Sequence, residues 1–248
     1  MEVLKAASDI SVHHFDTGAF NWYILSQQGR LTLVDAGFPG HYQIFLDGIQ
    51  SMEKDLGNFE AIILTHSHAD HTGFAERLRK ITNIPVFIHQ DDLAAVGRVL
   101  QLPWWGLLSN AWQPYVRSIL GHAIGNGVFT MPHISKAYPF KDGDILDVPG
   151  KPQVFHIPGH TPGEVAFFLP DSGILFSGDT IITQNLLTGQ PGQPQIPSRL
   201  LNDNDRKARY SIDRLKDLGQ VTVLPGHGKP WTGLMSDAIQ LARDSGAR

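Results

Sequence analysis

Residues 61–71 read AIILTHSHADH, and this stretch decides the fold and the chemistry that we expect of the chain. Its first four residues form an apolar run of the kind that predicts a buried strand. In the extended backbone that follows, residues two apart point the same way, so His66 and His68 can both reach one metal ion. Asp70 and His71 follow at the start of a helical pattern. Four metal-ligand donors therefore lie within six residues, an arrangement that chance rarely produces.

Three further donors share one sequence context, in which an apolar run ends beside a glycine. They are His160 in IPGH, Asp179 in FSGD and His227 in LPGH. Glycine allows the backbone to turn tightly and to approach an ion closely. Any one of these residues alone would be interpreted as structural, but their shared placement favours a common site.

The number of donors predicts the number of ions. A catalytic zinc usually takes three protein ligands and a water, so seven donors are too many for one such ion. Two divalent ions that share a carboxylate use all seven, and zinc is the expected metal, with manganese or iron(II) as alternatives. The predicted sites are His66, His68 and His160 for one ion, Asp70, His71 and His227 for the other, and Asp179 as the bridge. Such a centre lowers the pKa of bound water to about 7 and favours hydrolysis.

The composition excludes several other classes of protein. The chain has no cysteine, so thiolate ligands and disulfides are absent. Its 20 basic and 24 acidic residues give a net charge of −4, which does not favour nucleic-acid binding. No apolar run is long enough for a membrane helix, and the first residues lack an export signal. We therefore expect a cytoplasmic protein that acts on a small molecule.

Apolar runs and helical patterns interleave along the chain. Segments such as NWYIL, RLTLVDAG and VTVLPGHG predict short strands, and residues 164–178 predict a hairpin. The clearest helical patterns are Phe74, Leu78 and Ile81, and Ile212, Leu215 and Leu218. Two mixed sheets flanked by helices, in one domain that spans residues 1–248, fit this order best.

Two segments do not follow this alternation of predicted strands and helices. Residues at about 93–135 predict a cap-like, mostly helical insertion that contains Trp104, Trp105, Trp112 and Tyr115. These aromatic residues either line an apolar substrate pocket or pack against the body or a second copy of the chain. Residues 188–198 have a proline at every third position from 191, which predicts an extended polyproline loop at the surface.

The string THSHADH, with the downstream GH, GD and PGHG, resembles the metallo-β-lactamase superfamily, and in particular its glyoxalase II-like and lactonase-like branches. The resemblance extends from about NWYIL to PGHG. It implies a four-layer αββα sandwich with a dinuclear metal site between the sheets, at the seven donors above. It also implies that Asp70 orients a metal-bridging hydroxide and carries a proton to the leaving group.

At several positions this chain differs from other branches of the superfamily, and these differences exclude the reactions of those branches. True β-lactamases of the superfamily have cysteine or serine where this chain has Asp179, and flavodiiron proteins have glutamate at the position of His68. The nucleases of the superfamily have additional arms or domains. Hydrolysis of a small ester, lactone or thioester remains as the leading hypothesis. A mononuclear iron dioxygenase of the same superfamily that acts on persulfides, and a non-catalytic metal-stabilised binding protein, are the alternatives.

The sequence gives weaker evidence for a role of the remaining polar residues. Asp35 either orients a ligand histidine or ends a strand as a turn residue. The other histidines are expected to be structural or solvated, because they lack convergent partners. His122 and His133 are the two exceptions to consider, since both belong to the predicted insertion.

Overall fold

The structure is a computed structural model that describes residues 2–5, 9–96 and 103–245. The strands are β1 (Glu2–Lys5), β2 (Ile10–Asp16), β3 (Asn21–Gln27), β4 (Arg30–Val34), β5 (Phe59–Ile63), β6 (Val86–His89), β7 (Tyr138–Phe140), β8 (Gln153–His156), β9 (Val165–Leu169), β10 (Ile174–Gly178), β11 (Ile182–Gln184), β12 (Pro191–Gln195), β13 (Gln220–Pro225) and β14 (Trp231–Leu234). The α-helices are α1 (Tyr42–Ser51), α2 (Ala69–Thr72), α3 (Ala75–Thr82), α4 (Trp104–Ser109), α5 (Pro114–Gly125), α6 (Asp205–Ser211) and α7 (Met235–Ser245).

Two mixed sheets form the body of the molecule. The first contains β1 to β7 in chain order, antiparallel from β1 to β4 and parallel from β4 to β7. The second has the order β14-β13-β10-β9-β8, in which only the pair β10 and β13 is parallel. The predicted hairpin is present as β9 and β10.

Strand alternation separates the apolar residues into three layers. Along β3, Trp22 and Ile24 face a core that contains residues of α1 and α3, while Tyr23 and Leu25 face the second sheet. Along β9, Phe167 faces the first sheet, and its neighbours face α6 and α7. Successive side chains of a strand point to opposite faces, so each sheet is covered on both sides. Helix, sheet, sheet and helix therefore stack in four layers, and the predicted αββα sandwich is confirmed.

Some local predictions need correction. Ile81 lies on α3 but is 57% exposed, so only Phe74 and Leu78 of that pattern enter the core. Residues 191–195 form β12, which pairs with β11, so the polyproline prediction is wrong for the middle of that loop. The prolines there do not prevent pairing, because this small sheet has two strands and its edges are free of further ladder bonds.

Helices α4 and α5 lie in the segment that the sequence marks as an insertion, of which residues 97–102 are outside the described residues. Its division from the rest of the chain as a cap remains a prediction. Within the described ranges, no helix is long and apolar enough to span a membrane.

Candidate metal centre

The seven predicted donors follow the carboxyl ends of strands, five of them in loops and Asp70 and His71 on α2. His66 follows β5, His160 follows β8, Asp179 follows β10 directly, and His227 follows β13. Strands β8, β10 and β13 run in the same direction, because β8 and β10 are both antiparallel to β9. Their ends therefore meet at one edge of the second sheet, opposite the end of β5 in the first.

One group of donors surrounds a point between the loops after β5 and β8. The ligand atoms of His66, His68 and His160 all lie within 4.8 Å of one another. Nε2 of His160 is 2.9 Å from Nδ1 of His68 and 3.3 Å from Oδ2 of Asp179. This is the first set of donors that the sequence assigns to one ion, and all of its members are buried.

A second group lies beside it. Asp70 and His71, both on α2, form a set with His227 in which all ligand atoms are again within 4.8 Å. Oδ2 of Asp70 is 3.4 Å from Nε2 of His227 and 3.7 Å from Nε2 of His71.

Asp179 lies between the two groups. One of its oxygens is 3.0 Å from Nε2 of His227 and 3.3 Å from Nε2 of His160, and the other is 3.5 Å from Nε2 of His71. The carboxylate therefore faces histidines of both groups, as the prediction of a bridge requires. Gly226 keeps this space open, because a Cβ there would lie 2.3 Å from Oδ1 of Asp179.

The histidines are held by their other ring nitrogens. Nδ1 of His71 is 2.8 Å from Oδ2 of Asp35. Nδ1 of His66 is 3.1 Å from Oγ1 of Thr65, its hydrogen-bond partner, and 3.2 Å from Oε2 of Glu164. Nδ1 of His227 is 2.6 Å from the carbonyl oxygen of Ala19. Such contacts fix the tautomer and ring orientation of metal-binding histidines, leaving Nε2 free to bind an ion. Of the two interpretations of Asp35, the one in which it orients a histidine is therefore supported.

Two important carboxylates were not singled out from the sequence. Glu164 opens the apolar strand β9 only four residues after His160, and this isolated acid beside a ligand loop is a signal that could have found it. Asp92 is fully buried and accepts hydrogen bonds from Ser67 N, Thr161 Oγ1 and Gly163 N. It therefore ties the loop after β5 to the loop after β8, a role that its sequence context does not indicate.

Burial and mutual charge perturb the titration of these groups. Burial lowers the pKa of His66 well below its ordinary value. Burial acts in the same direction on His71, but Asp35 and the other nearby carboxylates outweigh it and raise the pKa to about 10. Burial would raise the pKa of Asp179, yet the histidines around it hold the pKa well below its usual range. Burial, with the neighbouring Asp179, raises the pKa of Glu164.

The donor set fits a divalent metal centre. Within the described residues, three buried ligand atoms at the centre have no hydrogen-bond partner, namely His66 Nε2, His71 Nε2 and Asp179 Oδ1. A buried polar atom without a partner is costly, and cations held by the two sets of donors would satisfy all three. Imidazole and carboxylate donors suit zinc, iron and manganese.

A pocket opens onto the donors. Leu107 of α4 and Ile119 and Ala123 of α5 are among the residues that line it. The tryptophans of this segment are not in its wall, and Trp105 and Trp112 are 87% and 74% exposed. Of the two interpretations of these aromatic residues, pocket lining is therefore wrong for Trp105 and Trp112, and Trp104 stacks on Phe129 outside the wall.

The two additional histidines considered from the sequence also lie apart from the donors. His122 on α5 pairs with His41, with 2.8 Å between their Nε2 atoms, and His133 is exposed. A third small group, His89, Asp91 and His156, lies outside the centre, and its ring nitrogens already contact backbone groups.

The model of the metallo-beta-lactamase superfamily matches residues 16–227, and the chain therefore belongs to this superfamily. The probable metallo-hydrolase YflN of Bacillus subtilis (strain 168) is 28% identical over 93% of this chain and 89% of that protein. A hydroxyacylglutathione hydrolase of Methylobacillus flagellatus is 30% identical over 69% of this chain and 52% of that protein. The solved structure of TTHA1623 in a di-iron-bound form is 25% identical, covers 93% of this chain and 97% of that one, and has a TM-score of 0.61.

Family membership and the donor clusters together make this protein a metallo-hydrolase at the level of the superfamily, with candidate sites for divalent metals.

Proposed function

We propose that the protein is a dinuclear metal-dependent hydrolase that cleaves an ester, lactone or thioester bond of a small molecule. The observation that carries this proposal is the convergence of five histidines and two aspartates at one edge of the sandwich, with Asp179 between two sets of three donors. A protein that merely needed a structural ion would close its coordination, whereas these donors border an open pocket.

Each set of donors has a separate task. His66, His68 and His160 would hold one ion, and Asp70, His71 and His227 would hold the other, with Asp179 shared. When bound, the two ions would polarise the carbonyl of the substrate and lower the pKa of a water molecule to about 7. TTHA1623, a similar protein with a di-iron form, supports two ions rather than one. Zinc is our proposed native metal, since the donors are nitrogen and carboxylate oxygen.

Asp70 is the proposed proton carrier. Its carboxylate lines the pocket and lies 3.4 Å from Nε2 of His227, so one side of it faces the donors and the other faces the substrate. From this position it can accept a proton from the attacking water and deliver it to the leaving group. Phe20 and Phe38 line the same pocket beside it.

A panel of substrates tests this function. Protein reconstituted separately with zinc, manganese and iron(II) would be assayed against aryl esters, lactones and acyl thioesters, with oxygen consumption recorded in parallel. We expect metal-dependent cleavage of at least one class without oxygen uptake. Oxygen uptake with a persulfide and iron would instead support the dioxygenase alternative, and the absence of turnover with every metal would support a binding protein.

A further inference from the structure

The wall of the pocket is apolar wherever it is not made of metal-ligand donors. Fourteen residues line it; five are donors, and the other nine have aliphatic, aromatic or proline side chains. Leu107, Ile119, Leu120, Leu186 and Leu201 provide most of the aliphatic surface. Among the described residues of this wall, there is no lysine or arginine, and no hydroxyl or amide side chain.

These apolar residues come from elements that supply none of the seven donors. Leu107 is on α4, Ile119 and Ala123 are on α5, and Leu186 follows β11. Their side chains line the same pocket as five of the donors, so a molecule whose carbonyl lies at the donors would have its attached chain against them. Of the aliphatic residues of the wall, Leu107, Ile119, Ala123 and Leu201 are buried.

Burial of a charged or strongly polar chain in such a wall would leave its polar groups without partners, which is costly. Burial of an aliphatic chain is favourable, and each methylene removed from water adds to the gain.

We propose that the substrate has an uncharged aliphatic acyl chain that binds between α4, α5 and Leu186. This inference rests on the proposed hydrolase function and specifies its substrate class. The proposed substrate differs from that in the name of one relative, a hydroxyacylglutathione hydrolase. The two carboxylates of a glutathione moiety would find no cation in the described part of this pocket.

Chain length is the first test. The metal-loaded protein would be assayed with 4-nitrophenyl acetate, butyrate, hexanoate, octanoate and decanoate. We expect kcat/KM to rise by about threefold per added methylene until the pocket is filled. The octanoyl thioester of N-acetylcysteamine, which is neutral, should be cleaved faster than that of glutathione. A flat or falling series, or a preference for the glutathione thioester, would overturn the proposal.

Two variants of α5 test where the acyl chain of the substrate binds. Ala123→Leu adds bulk to the wall, and Ser118→Leu adds the same bulk to the exposed face of α5. We expect Ala123→Leu to lower kcat/KM for the decanoate by about tenfold and to change that for the acetate little. Ser118→Leu should leave both unchanged. An equal loss at every chain length in the first variant would contradict the assignment; Ala123→Val makes the same test if the larger side chain prevents folding.

A binding measurement separates this proposal from the hydrolase function. Decanamide, a neutral amide, would be titrated into metal-free protein in a calorimeter, with acetamide as the comparison. Tight binding of decanamide alone, weakened by Ala123→Leu, supports the pocket even if no ester is cleaved and the hydrolase function fails. If esters are cleaved but decanamide binds no better than acetamide, the substrate class is wrong and the hydrolase function stands.

Discussion

Asp35 shows how one side chain can prepare a metal ligand without touching the metal. Its backbone φ is +60°, a left-handed conformation that aspartate tolerates better than most residues. From there, Oδ2 reaches Nδ1 of His71, while Oδ1 accepts a hydrogen bond from the backbone N–H of Thr65 at 2.8 Å. The carboxylate therefore links the end of β4, the loop after β5 and a ligand histidine.

Asp35→Asn should weaken metal binding without unfolding the protein. An amide group in place of Oδ2 would present N–H donors to Nδ1 of His71 and oppose the tautomer that frees Nε2. We expect the affinity for zinc to fall by about 10- to 100-fold, as measured by competition with a chromogenic chelator. Asp217→Asn, at an exposed position, is the matched control. Equal zinc affinities of the two variants would mean that Asp35 is only a turn residue.

Asp70→Asn tests the proton carrier through the leaving group. A nitrophenolate departs without a proton, whereas an alkoxide needs one. At saturating metal, we expect kcat for an alkyl ester or lactone to fall by about 10²-fold or more, and kcat for the nitrophenyl ester to fall much less. Equal losses for both substrates would show that Asp70 acts as a metal ligand alone.

At the scale of elements, a buried carboxylate connects α3 to the segment before β7. Glu76 is 1% exposed and accepts hydrogen bonds from Nε and Nη2 of Arg79 and from Oγ of Ser135. Burial would raise the pKa of Glu76, but these hydrogen bonds outweigh it and lower the pKa to about 2. The folded state therefore favours the ionised form of Glu76 more than the unfolded chain does.

The stability that Glu76 provides should depend on pH in a defined window. Since its folded pKa is depressed, the contribution is complete above the unfolded value of 4.5 and is lost as the pH falls toward about 2. Glu76→Gln should lower the free energy of unfolding near neutral pH by about 2 kcal/mol, and the difference from wild type should shrink in that window. Urea denaturation of metal-free protein measures this. Glu60→Gln, which breaks the exposed pair with Arg30, should have a smaller effect, and a pH-independent deficit in Glu76→Gln would contradict the assignment.

The elements also show what the sequence could not reveal. The strand-end positions of His160, Asp179 and His227 were predictable, because apolar runs that end at glycine mark both the strand and its turn. The position of His66 was predictable from the apolar run before it. The role of Asp92 was not predictable, since nothing in the sequence shows that a residue after β6 contacts the loop after β8. Local patterns identify elements, and such contacts between distant segments arise only when the elements are packed together.

At the scale of the whole molecule, the metal centre and the apolar cores are separate. The three apolar layers cover the faces of the two sheets, whereas the seven donors follow the carboxyl ends of strands. The apolar runs and helical patterns predict two mixed sheets flanked by helices, and the order of the four layers is what the resemblance to the superfamily implies. The sequence does not predict the pocket wall, because helical patterns do not show that Trp105 of α4 and Trp112 of the following turn face outward.

Removal of the metal should therefore lower the thermal stability of the protein without unfolding it at room temperature. Ions that bind only the folded state stabilise it by mass action, so chelation should lower the melting temperature by about 10 °C. Far-ultraviolet circular dichroism at room temperature should remain unchanged, because the cores do not need the ions. Complete loss of structure after chelation, or an unchanged melting temperature, would be inconsistent with this separation.

The metal content of the purified protein tests the central claim most directly. Elemental analysis after reconstitution should find two divalent ions per chain, and Asp179→Ala, which removes the carboxylate that faces both sets of donors, should reduce that number. One iron per chain, together with oxygen consumption on a persulfide, would contradict the dinuclear hydrolase.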